Sequence, residues 1–394
     1  MDGGEPLQES ASVRRASGAA PVRQIQGLDS LRGIAAMLVA LFHFRISGHV
    51  MESPLVRNGW IFVDFFFVLS GFVICHAYGD RLAARTVSVG RFMALRMGRI
   101  YPLHFAVLMA WLAFELLKLA AGKGGAAFTG DYDPLTLLYN LLLLQSFGLQ
   151  DSLGWNQPAW SIAAEMWVYL LFAVLLAIFS DRGRWIFVLL GGGALIWLVI
   201  ASPRALDATF DLGFVRCVFG FSLGLVVHAI YARWPLPRQW PLATLAEALL
   251  AGAAIGFVWF FGSGWPTFFA PFLFAAVVLV FAMGRGAISR WLCWTPLVWL
   301  GQLSYSIYMV HALVEVRLAG LLKRFGGVLG ISQVGTGEHD QMWKAAPLLG
   351  DFLGLLVLLV VVATSFISYR LIELPAREWT RRRLIGLGIK RRND

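Results

Sequence analysis

One apolar segment near the N-terminus carries an arginine and a histidine at a spacing that suits chemistry. Within residues 27–46, Arg32 and His43 lie eleven positions apart. At about 100° and 1.5 Å per residue, the two side chains share one helix face and lie about 16 Å apart along its axis. A charged group near the centre of a bilayer costs about 2.5–3.5 kcal/mol, so a chain that keeps one there usually pairs it or uses it. The pair therefore indicates a functional helix.

Two carboxylates fall at the same predicted depth as His43. Asp64 lies near the start of the second apolar segment, and Glu165 lies near the start of the fourth. Such a group could handle protons, with His43 as the general base and a carboxylate that fixes its tautomer and stabilises the imidazolium. Asp64 could instead brace helix packing, and we expect less direct chemistry from it than from Glu165. We predict His43, Glu165 and Asp64 as catalytic residues.

Arginines collect at the opposite depth. Arg32 lies near the start of the first apolar segment, and Arg96 and Arg99 immediately precede the third. The guanidinium fork binds phosphate oxygens in two-point fashion, so this cluster suits a phosphorylated ligand. Taken alone, Arg96 and Arg99 would more simply belong to the excess of basic residues that marks the cytoplasmic side of membrane proteins.

The elements that must position these residues are membrane helices. Hydrophobic residues make up 58% of the 394 residues and charged residues only 14%, which excludes a water-soluble domain of this size. Ten apolar segments are long enough to cross a hydrocarbon core of about 30 Å. They fall at about residues 28–46, 60–78, 101–119, 159–179, 185–201, 212–231, 243–261, 266–284, 297–320 and 348–372. We predict an all-α polytopic membrane protein with about ten transmembrane helices.

The distribution of basic residues predicts the topology. Arginines concentrate in alternate loops and in both terminal segments, which places the N- and C-termini in the cytoplasm. The net charge of +10 is therefore a membrane signature and does not indicate nucleic acid. We divide the chain into a disordered cytoplasmic leader (1–24), a transmembrane domain (25–376) and a basic cytoplasmic tail (377–394) that suits anionic lipid.

The remaining polar and thiol groups give weaker signals. The three cysteines have no metal-like spacing and are typical of apolar packing: Cys75, Cys217 and Cys293. Asp133 before Pro134 predicts the start of a short re-entrant or interfacial helix in the loop at 120–158. Glu338, His339 and Asp340 could bind a metal, but three adjacent polar residues in a loop are more often solvated. We predict no metal site.

Six motifs follow one another along the chain: LDSLRGIAAMLVALFHF, VDFFFVLSGFVI, RMGRIYPLH, WSIAAE, LGQLSYSIYMVHALV and the closing ELP. In these motifs and their order, the chain resembles the acyltransferase-3 superfamily of membrane proteins. Members of this superfamily move acyl groups, often acetyl, onto hydroxyls of cell-surface sugars and of some small molecules. The resemblance covers most of the chain.

The resemblance implies roles for individual residues. It implies that Arg32 and His43 are essential, that Arg96 and Arg99 bind an acyl-coenzyme A donor, and that Glu165 belongs to the site. Its other motifs supply expected substrate-binding residues: Trp160, Ser161, Tyr305 and His311. For His311, packing and hydrogen bonding are as well supported as substrate contact. Some members continue into an extracytoplasmic esterase-like domain; here the chain ends soon after the last segment, so acceptor recognition would rest on the membrane domain or a partner.

These inferences lead to one expected function and to rivals. We expect a multi-pass protein of the cell inner membrane that transfers an acyl group, expected to be acetyl, from cytoplasmic acyl-CoA to a hydroxyl of an extracytoplasmic sugar, polysaccharide or glycolipid. Direct transfer and an acyl-enzyme relay both stay open. A small-molecule acceptor, a proton-coupled secondary transporter and an inactive accessory protein are the alternatives. Acceptor identity and oligomeric state do not follow from the sequence.

Overall fold

The computed structural model describes residues 21–122, 124–234, 240–335 and 342–390, and within them helices dominate. The described residues form fifteen α-helices: α1 (Pro21–His43), α2 (Pro54–Arg57), α3 (Phe62–Ile74), α4 (Asp80–Ala83), α5 (Val89–Ala120), α6 (Pro134–Leu141), α7 (Ala159–Phe179), α8 (Arg182–Ala201), α9 (Gly213–Arg233), α10 (Ala243–Phe261), α11 (Ala270–Met283), α12 (Ala287–Leu292), α13 (Thr295–Phe325), α14 (Pro347–Ser368) and α15 (Leu374–Lys390). The all-α prediction is confirmed.

Short elements connect or extend these helices. Two π-helical turns, Cys75–Gly79 and Tyr369–Glu373, join α3 to α4 and α14 to α15. Turns of 3₁₀-helix lie at Gly59–Ile61, Gly124–Ala126, Gly130–Tyr132, Trp265–Phe269 and Gly326–Leu329. One antiparallel hairpin pairs β1 (Ser332–Val334) with β2 (Met342–Lys344), so that Gln333 lies opposite Trp343.

Nine helical segments of the described chain are long and apolar enough to cross a membrane. They cover 59–83, 89–120, 159–179, 182–201, 213–233, 243–261, 265–283, 295–329 and 347–384. Each overlaps one of the ten predicted segments. The first predicted segment, 28–46, overlaps α1 and is not among the nine.

Helix α1 nevertheless lies inside the bundle, because it packs along α13. Arg32 contacts Gly301 and Ser304, and His43 contacts His311, so the two helices run parallel. A Cβ on Gly33 would lie only 2.7 Å from the Gly301 amide nitrogen, so these two backbones approach closely. We call the two ends of the bundle the Pro21 end and the His43 end, after the ends of α1.

A second parallel pair is formed by α3 and α9. Asp64 contacts Arg216, and seven and eight residues further along the two helices Gly71 lies against Gly224, where added side chains would collide with the facing backbone. Gly59, just before α3, packs on Leu38 at the far part of α1, so α3 begins at the His43 end. The two parallel pairs therefore frame the region between them.

Aromatic rings fill the adjoining core. Phe172, Phe187 and Phe221 from α7, α8 and α9 lie 5.2–6.1 Å apart between ring centroids. All three are fully buried. This packing fixes α7 against α9.

The predicted helix start in the loop at 120–158 is confirmed. The Asp133 carboxylate accepts hydrogen bonds from the amides of Leu135 and Thr136, at 2.8 and 3.0 Å, and caps the first turn of α6. With eight residues, α6 is too short to cross a bilayer. It is tied to α5, because Tyr101 donates to the Leu141 carbonyl at 3.0 Å.

The basic residues that follow the bundle lie on a helix as far as Lys390. In α15, Thr380 lies so close to Gly98 of α5 that a Cβ on the glycine would collide with it. The basic helix therefore starts beside Arg96 and Arg99. The leader as far as residue 20 and the trio Glu338, His339 and Asp340 lie outside the described residues.

The cysteines are packing residues in the structure. Cys75 and Cys217 are buried and Cys293 is half-buried, and within the described chain none of the three forms a disulfide. Cys75 Sγ lies 3.4 Å from Nδ1 of His228, near the Pro21 end. No group of three or more potential metal ligands occurs in the part of the chain that the structure describes.

Candidate active site

The arginine of α1 is held against α13. Its Nε donates to Ser304 Oγ at 2.7 Å and its Nη2 donates to the Gly301 carbonyl at 3.1 Å. Nη2 also lies 3.3 Å from Oδ1 of Asp29, one turn earlier in α1. The close approach of Gly33 to Gly301 is what brings Arg32 within reach of these groups. Arg32 is therefore fixed in direction before any ligand binds.

Two histidines face each other at the other end of this helix pair. The rings of His43 and His311 lie 4.8 Å apart between centroids. Nδ1 of His43 lies 2.9 Å from the Val39 carbonyl, and Nδ1 of His311 lies 3.2 Å from the Ile307 carbonyl. Because a carbonyl only accepts, both Nδ1 atoms carry the proton, and each neutral ring has its lone pair on Nε2.

These two Nε2 atoms are the groups that can take a proton. His311 is fully buried, and within the described chain its Nε2 has no hydrogen-bond partner. Sequence analysis left the role of His311 open between packing and substrate contact. The structure pairs it with His43, a contact that no spacing along the sequence indicates.

The WSIAAE motif meets α13 next to the histidines. Ser161 Oγ and Tyr308 OH share a hydrogen bond of 2.7 Å, and Tyr308 packs on His311 with 5.8 Å between ring centroids. Trp160 packs edge-on against Phe67 of α3. Tyr308 thus links α7 to the histidine pair.

Asp64 forms a buried two-point salt bridge with Arg216. Nε donates to Oδ1 at 3.0 Å and Nη2 donates to Oδ2 at 2.7 Å, while Nη1 donates to the Ala208 carbonyl at 3.1 Å. The guanidinium also lies over the rings of Trp60 and Trp160, at 5.1 and 5.4 Å. Both charged side chains are essentially inaccessible, with exposed fractions of 0% and 1%.

This pair changes the interpretation of Asp64. Both of its oxygens are occupied by Arg216, so Asp64 braces α3 against α9, which is the alternative considered for it from the sequence. Arg216 itself was missed. The signal that could have found it was an arginine inside the apolar segment GFVRCVFGF, since such a charge needs a partner of opposite sign.

Glu165 contacts residues other than His43. Its carboxylate accepts hydrogen bonds from Ser70 and from Tyr169, and none of the described contacts joins it to His43. It lies one turn past Ser161 along α7, about 6 Å further from the His43 end. Arg32 lies within electrostatic range of it. The expected role of Glu165 in orienting His43 therefore has no contact to support it.

Of the three arginines predicted to bind the donor, Arg99 lies within electrostatic range of the other two, Arg32 and Arg96. Nη2 of Arg96 donates to Tyr78 OH at 3.3 Å and the guanidinium lies 5.2 Å from the Tyr78 ring centroid, while its buried Nε has no partner among the described residues. A cluster of this kind, with donors still available, can bind phosphate.

Two further residues of the α13 motif, and the glutamate of the ELP motif, hold neighbouring elements together. Tyr305 OH donates to the Ile100 carbonyl of α5 at 2.5 Å, and Ser306 Oγ donates to Glu373 at 2.9 Å. Glu373 lies within electrostatic range of Arg99 and Arg32. Tyr305 was predicted to bind substrate, and its hydroxyl is already occupied by α5.

A Gly-x-Ser-x-Gly sequence at Gly220 to Gly224 does not form a nucleophile elbow. It lies inside α9, whereas the elbow of serine hydrolases is a turn between a strand and a helix. Ser222 is buried and donates to the Phe219 carbonyl at 2.7 Å. This serine packs the helix, and Gly224 allows the close contact with α3.

Comparisons with known proteins bear on the family of the whole chain. The Acyl_transf_3 family, described as an acyltransferase domain, matches residues 25–370. Peptidoglycan O-acetyltransferase OatA of Listeria monocytogenes is 23% identical over 394 residues, which cover 90% of this chain and 56% of that protein. Acyltransferase MdmB of Streptomyces mycarofaciens is 25% identical over 393 residues, covering 92% of this chain and 94% of its own length.

More distant relatives fit the same pattern. O-acetyltransferase OatA of Staphylococcus aureus is 20% identical over 322 residues, covering 73% of this chain and 50% of that protein. The chain thus spans about half the length of the two OatA proteins. No solved structure matches it. Because the family match extends over most of the chain, the protein belongs to the acyltransferase-3 family.

Proposed function

We propose that this protein is an O-acyltransferase of the cell inner membrane. It transfers an acyl group, acetyl in the first instance, from cytoplasmic acyl-CoA to a hydroxyl of a cell-surface glycan. The single observation that carries the proposal is the arrangement along α1 and α13: an arginine cluster at one level and two imidazoles with free Nε2 lone pairs at the other. The family match and the names of the OatA relatives support acyl transfer to a polysaccharide.

The donor binds at the arginines. Arg32, Arg96 and Arg99 bind the phosphates of acyl-CoA, and α15 borders this cluster through its contact with Gly98. The pantetheine arm extends towards the His43 end, past Ser70, Glu165 and Tyr169. The separation of about 16 Å between Arg32 and His43 is the length that this arm bridges.

The transfer itself takes place at His43. Its Nε2 accepts the proton of the acceptor hydroxyl while the hydroxyl oxygen attacks the thioester carbonyl carbon. A carbon–oxygen bond forms, the carbon–sulfur bond breaks, and the thiolate of coenzyme A takes the proton from the imidazolium. The hydrogen bond from Nδ1 to the Val39 carbonyl keeps a proton on Nδ1, so that Nε2 is the atom that takes the proton and then gives it up.

His311 shares this environment. Its ring packs on that of His43, and its own lone pair on Nε2 is available to a second donor group of the acceptor. Tyr308, held by Ser161, fixes the ring from the other side. Direct transfer needs both substrates in place together at these histidines.

The test uses the purified protein in lipid nanodiscs with acetyl-labelled acetyl-CoA and soluble peptidoglycan fragments released by a muramidase. We expect label in the glycan from the wild type, and about a 100-fold or greater loss of transfer in His43→Ala, with acetyl-CoA still bound. His228→Ala is the matched control, because this half-buried histidine lies beside Cys75 near the Pro21 end, at the opposite end of the bundle from His43. Equal transfer by wild type and His43→Ala would refute the mechanism, and label retained on the denatured protein would indicate a relay.

A further inference from the structure

One face of α13 carries four polar residues in succession. Ser304, Tyr308, His311 and Glu315 are spaced by four, three and four positions, which is the spacing of a single helix face. Three of them have partners on other elements: Ser304 binds Arg32, Tyr308 binds Ser161, and His311 packs on His43. Glu315 continues this polar face beyond the histidines.

Glu315 lacks the partner that the other three have. Its exposed fraction is 6%, and none of the described residues forms a hydrogen bond with its buried Oε1 atom. Buried polar groups are almost always hydrogen-bonded, because an unpaired one costs about 1–3 kcal/mol, and more when it is charged. In a helix that spans the membrane, such a carboxylate is a functional candidate by default.

The other buried carboxylates of the described chain show that the fold normally satisfies such groups. Each of them accepts at least one hydrogen bond from the protein: Asp64 from Arg216, Glu115 from Lys118 and the Phe128 amide, Glu247 from Ser289 and the Gly286 amide, and Glu373 from Ser306. Glu315 departs from this pattern. Its partner is therefore to be sought in a ligand.

The chemistry of the position specifies that ligand. A carboxylate oxygen and the free Nε2 of His311 both accept hydrogen bonds, so the ligand must present donors close together. Sugar hydroxyls do this, whereas a phosphate or carboxylate would be repelled by Glu315. The residue lies one turn beyond His311, about 6 Å further from the arginines, on the side opposite the donor.

We propose that Glu315 is an acceptor-binding residue, which accepts a hydrogen bond from a second hydroxyl of the sugar whose reacting hydroxyl faces His43. This inference rests on the proposed function. It adds that the acceptor is a polyol recognised within the membrane domain by at least two of its hydroxyls. Glu315 holds the sugar in place and takes no part in proton transfer.

The experiment compares Glu315→Leu and Glu315→Gln with the wild type in nanodiscs. Transfer from labelled acetyl-CoA to muramidase-released peptidoglycan fragments gives KM for the glycan and kcat, and equilibrium binding gives the affinity for acetyl-CoA. We expect Glu315→Leu to raise KM for the glycan about 10-fold or more, because a sugar hydroxyl loses its acceptor. Glu315→Gln keeps an accepting oxygen and should raise it by only about threefold. Affinity for acetyl-CoA should stay unchanged in both.

Glu115→Gln is the matched control. Glu115 is a buried glutamate whose carboxylate is already occupied by Lys118 and by the Phe128 amide, so its replacement should lower thermal stability and leave KM for the glycan unchanged. A normal KM in Glu315→Leu, or a lower kcat and weaker acetyl-CoA binding without a change in KM, would overturn the proposal. If Glu315→Leu does not fold, an unchanged KM for the glycan in both Glu315→Gln and Glu315→Asp would overturn the proposal. A wild type that binds acetyl-CoA and transfers nothing would instead refute the proposed function.

Discussion

The two parallel helix pairs of this protein are packed in the same way but have different roles. Both α1 with α13 and α3 with α9 approach through glycines, Gly33 against Gly301 and Gly71 against Gly224. Both also carry charged side chains inside the bundle. In the α3 and α9 pair, Asp64 and Arg216 satisfy each other completely. In the α1 and α13 pair, Nε2 of His311 and Oε1 of Glu315 find no partner among the described residues.

The difference distinguishes residues that hold the helices together, which we call the framework, from residues of the candidate active site. A buried polar group whose bonds are all made by the protein has nothing left to offer a ligand, and its loss is felt as instability. A buried polar group with an unused atom costs stability in the free protein, and that cost is recovered when a substrate supplies the missing bond. The comparison therefore predicts which substitutions act on folding and which act on transfer.

The largest effect is expected from breaking the framework pair. Asp64→Ala leaves the Arg216 guanidinium buried without its partner, which should destabilise the protein by about 3–5 kcal/mol. We expect a large drop in the amount of folded protein extracted from membranes and a lower melting temperature. Size-exclusion chromatography with fluorescence detection after heating measures both.

The control removes both charges at once. Asp64→Leu combined with Arg216→Met replaces the pair by apolar side chains, and such exchanges are often neutral for stability. We expect this double variant to recover much of the melting temperature lost in Asp64→Ala. If it also recovers acyl transfer, the pair is framework; a folded double variant without transfer would give Asp64 the catalytic role first expected from the sequence.

A smaller effect is expected from a substitution at the closest approach between α1 and α13. In Gly33→Ala, the new Cβ would lie 2.7 Å from both the Gly301 amide nitrogen and the Leu300 carbonyl carbon, so α1 must move away from α13. Overpacking of this kind costs about 1–3 kcal/mol. Displacing Arg32 and His43 together should reduce transfer by about 10- to 100-fold, because misplacement by about 1 Å can have such an effect.

Two glycine controls make this result specific. Gly193→Ala adds a methyl group in α8 where no atom lies within 4 Å, so it should change neither stability nor transfer by a measurable amount. Gly71→Ala forces α3 from α9 and should lower the melting temperature more than the transfer rate of the folded fraction. Equal losses of transfer per folded molecule in Gly33→Ala and Gly71→Ala would contradict the division into site and framework.

The fold and the positions of several candidate site residues along their own helices could be predicted because they depend on local patterns. Hydropathy gives the helices, and the spacing of Arg32 and His43 gives the helix face that they share and their separation along it. The closeness of Arg96 to Arg99 also follows, since they lie three positions apart before one apolar segment. Each of these inferences needs only one segment of chain.

The partners of the site residues could not be predicted in the same way. His311 meets His43 only because Gly33 and Gly301 let α1 and α13 run parallel in contact, and Asp64 meets Arg216 only because α3 packs on α9. The sequence indicates the depth of each residue in the membrane. It does not indicate the neighbouring helix that the side chain faces. Glu165 shows the consequence, because its partners are Ser70 and Tyr169 instead of His43.

The smallest effect is expected from Tyr305→Phe, which tests the comparison within α13 itself. Tyr305 belongs to the motif that also supplies His311, yet its hydroxyl already donates to the Ile100 carbonyl. The framework interpretation predicts a loss of about 1 kcal/mol of stability from the missing hydrogen bond, with KM for the glycan and kcat unchanged. A melting curve and a steady-state assay measure the two quantities. A rise in KM for the glycan at an unchanged melting temperature would mean that the hydroxyl leaves the Ile100 carbonyl and binds the substrate. A hydrogen bond made in the free protein would then no longer identify a residue as framework.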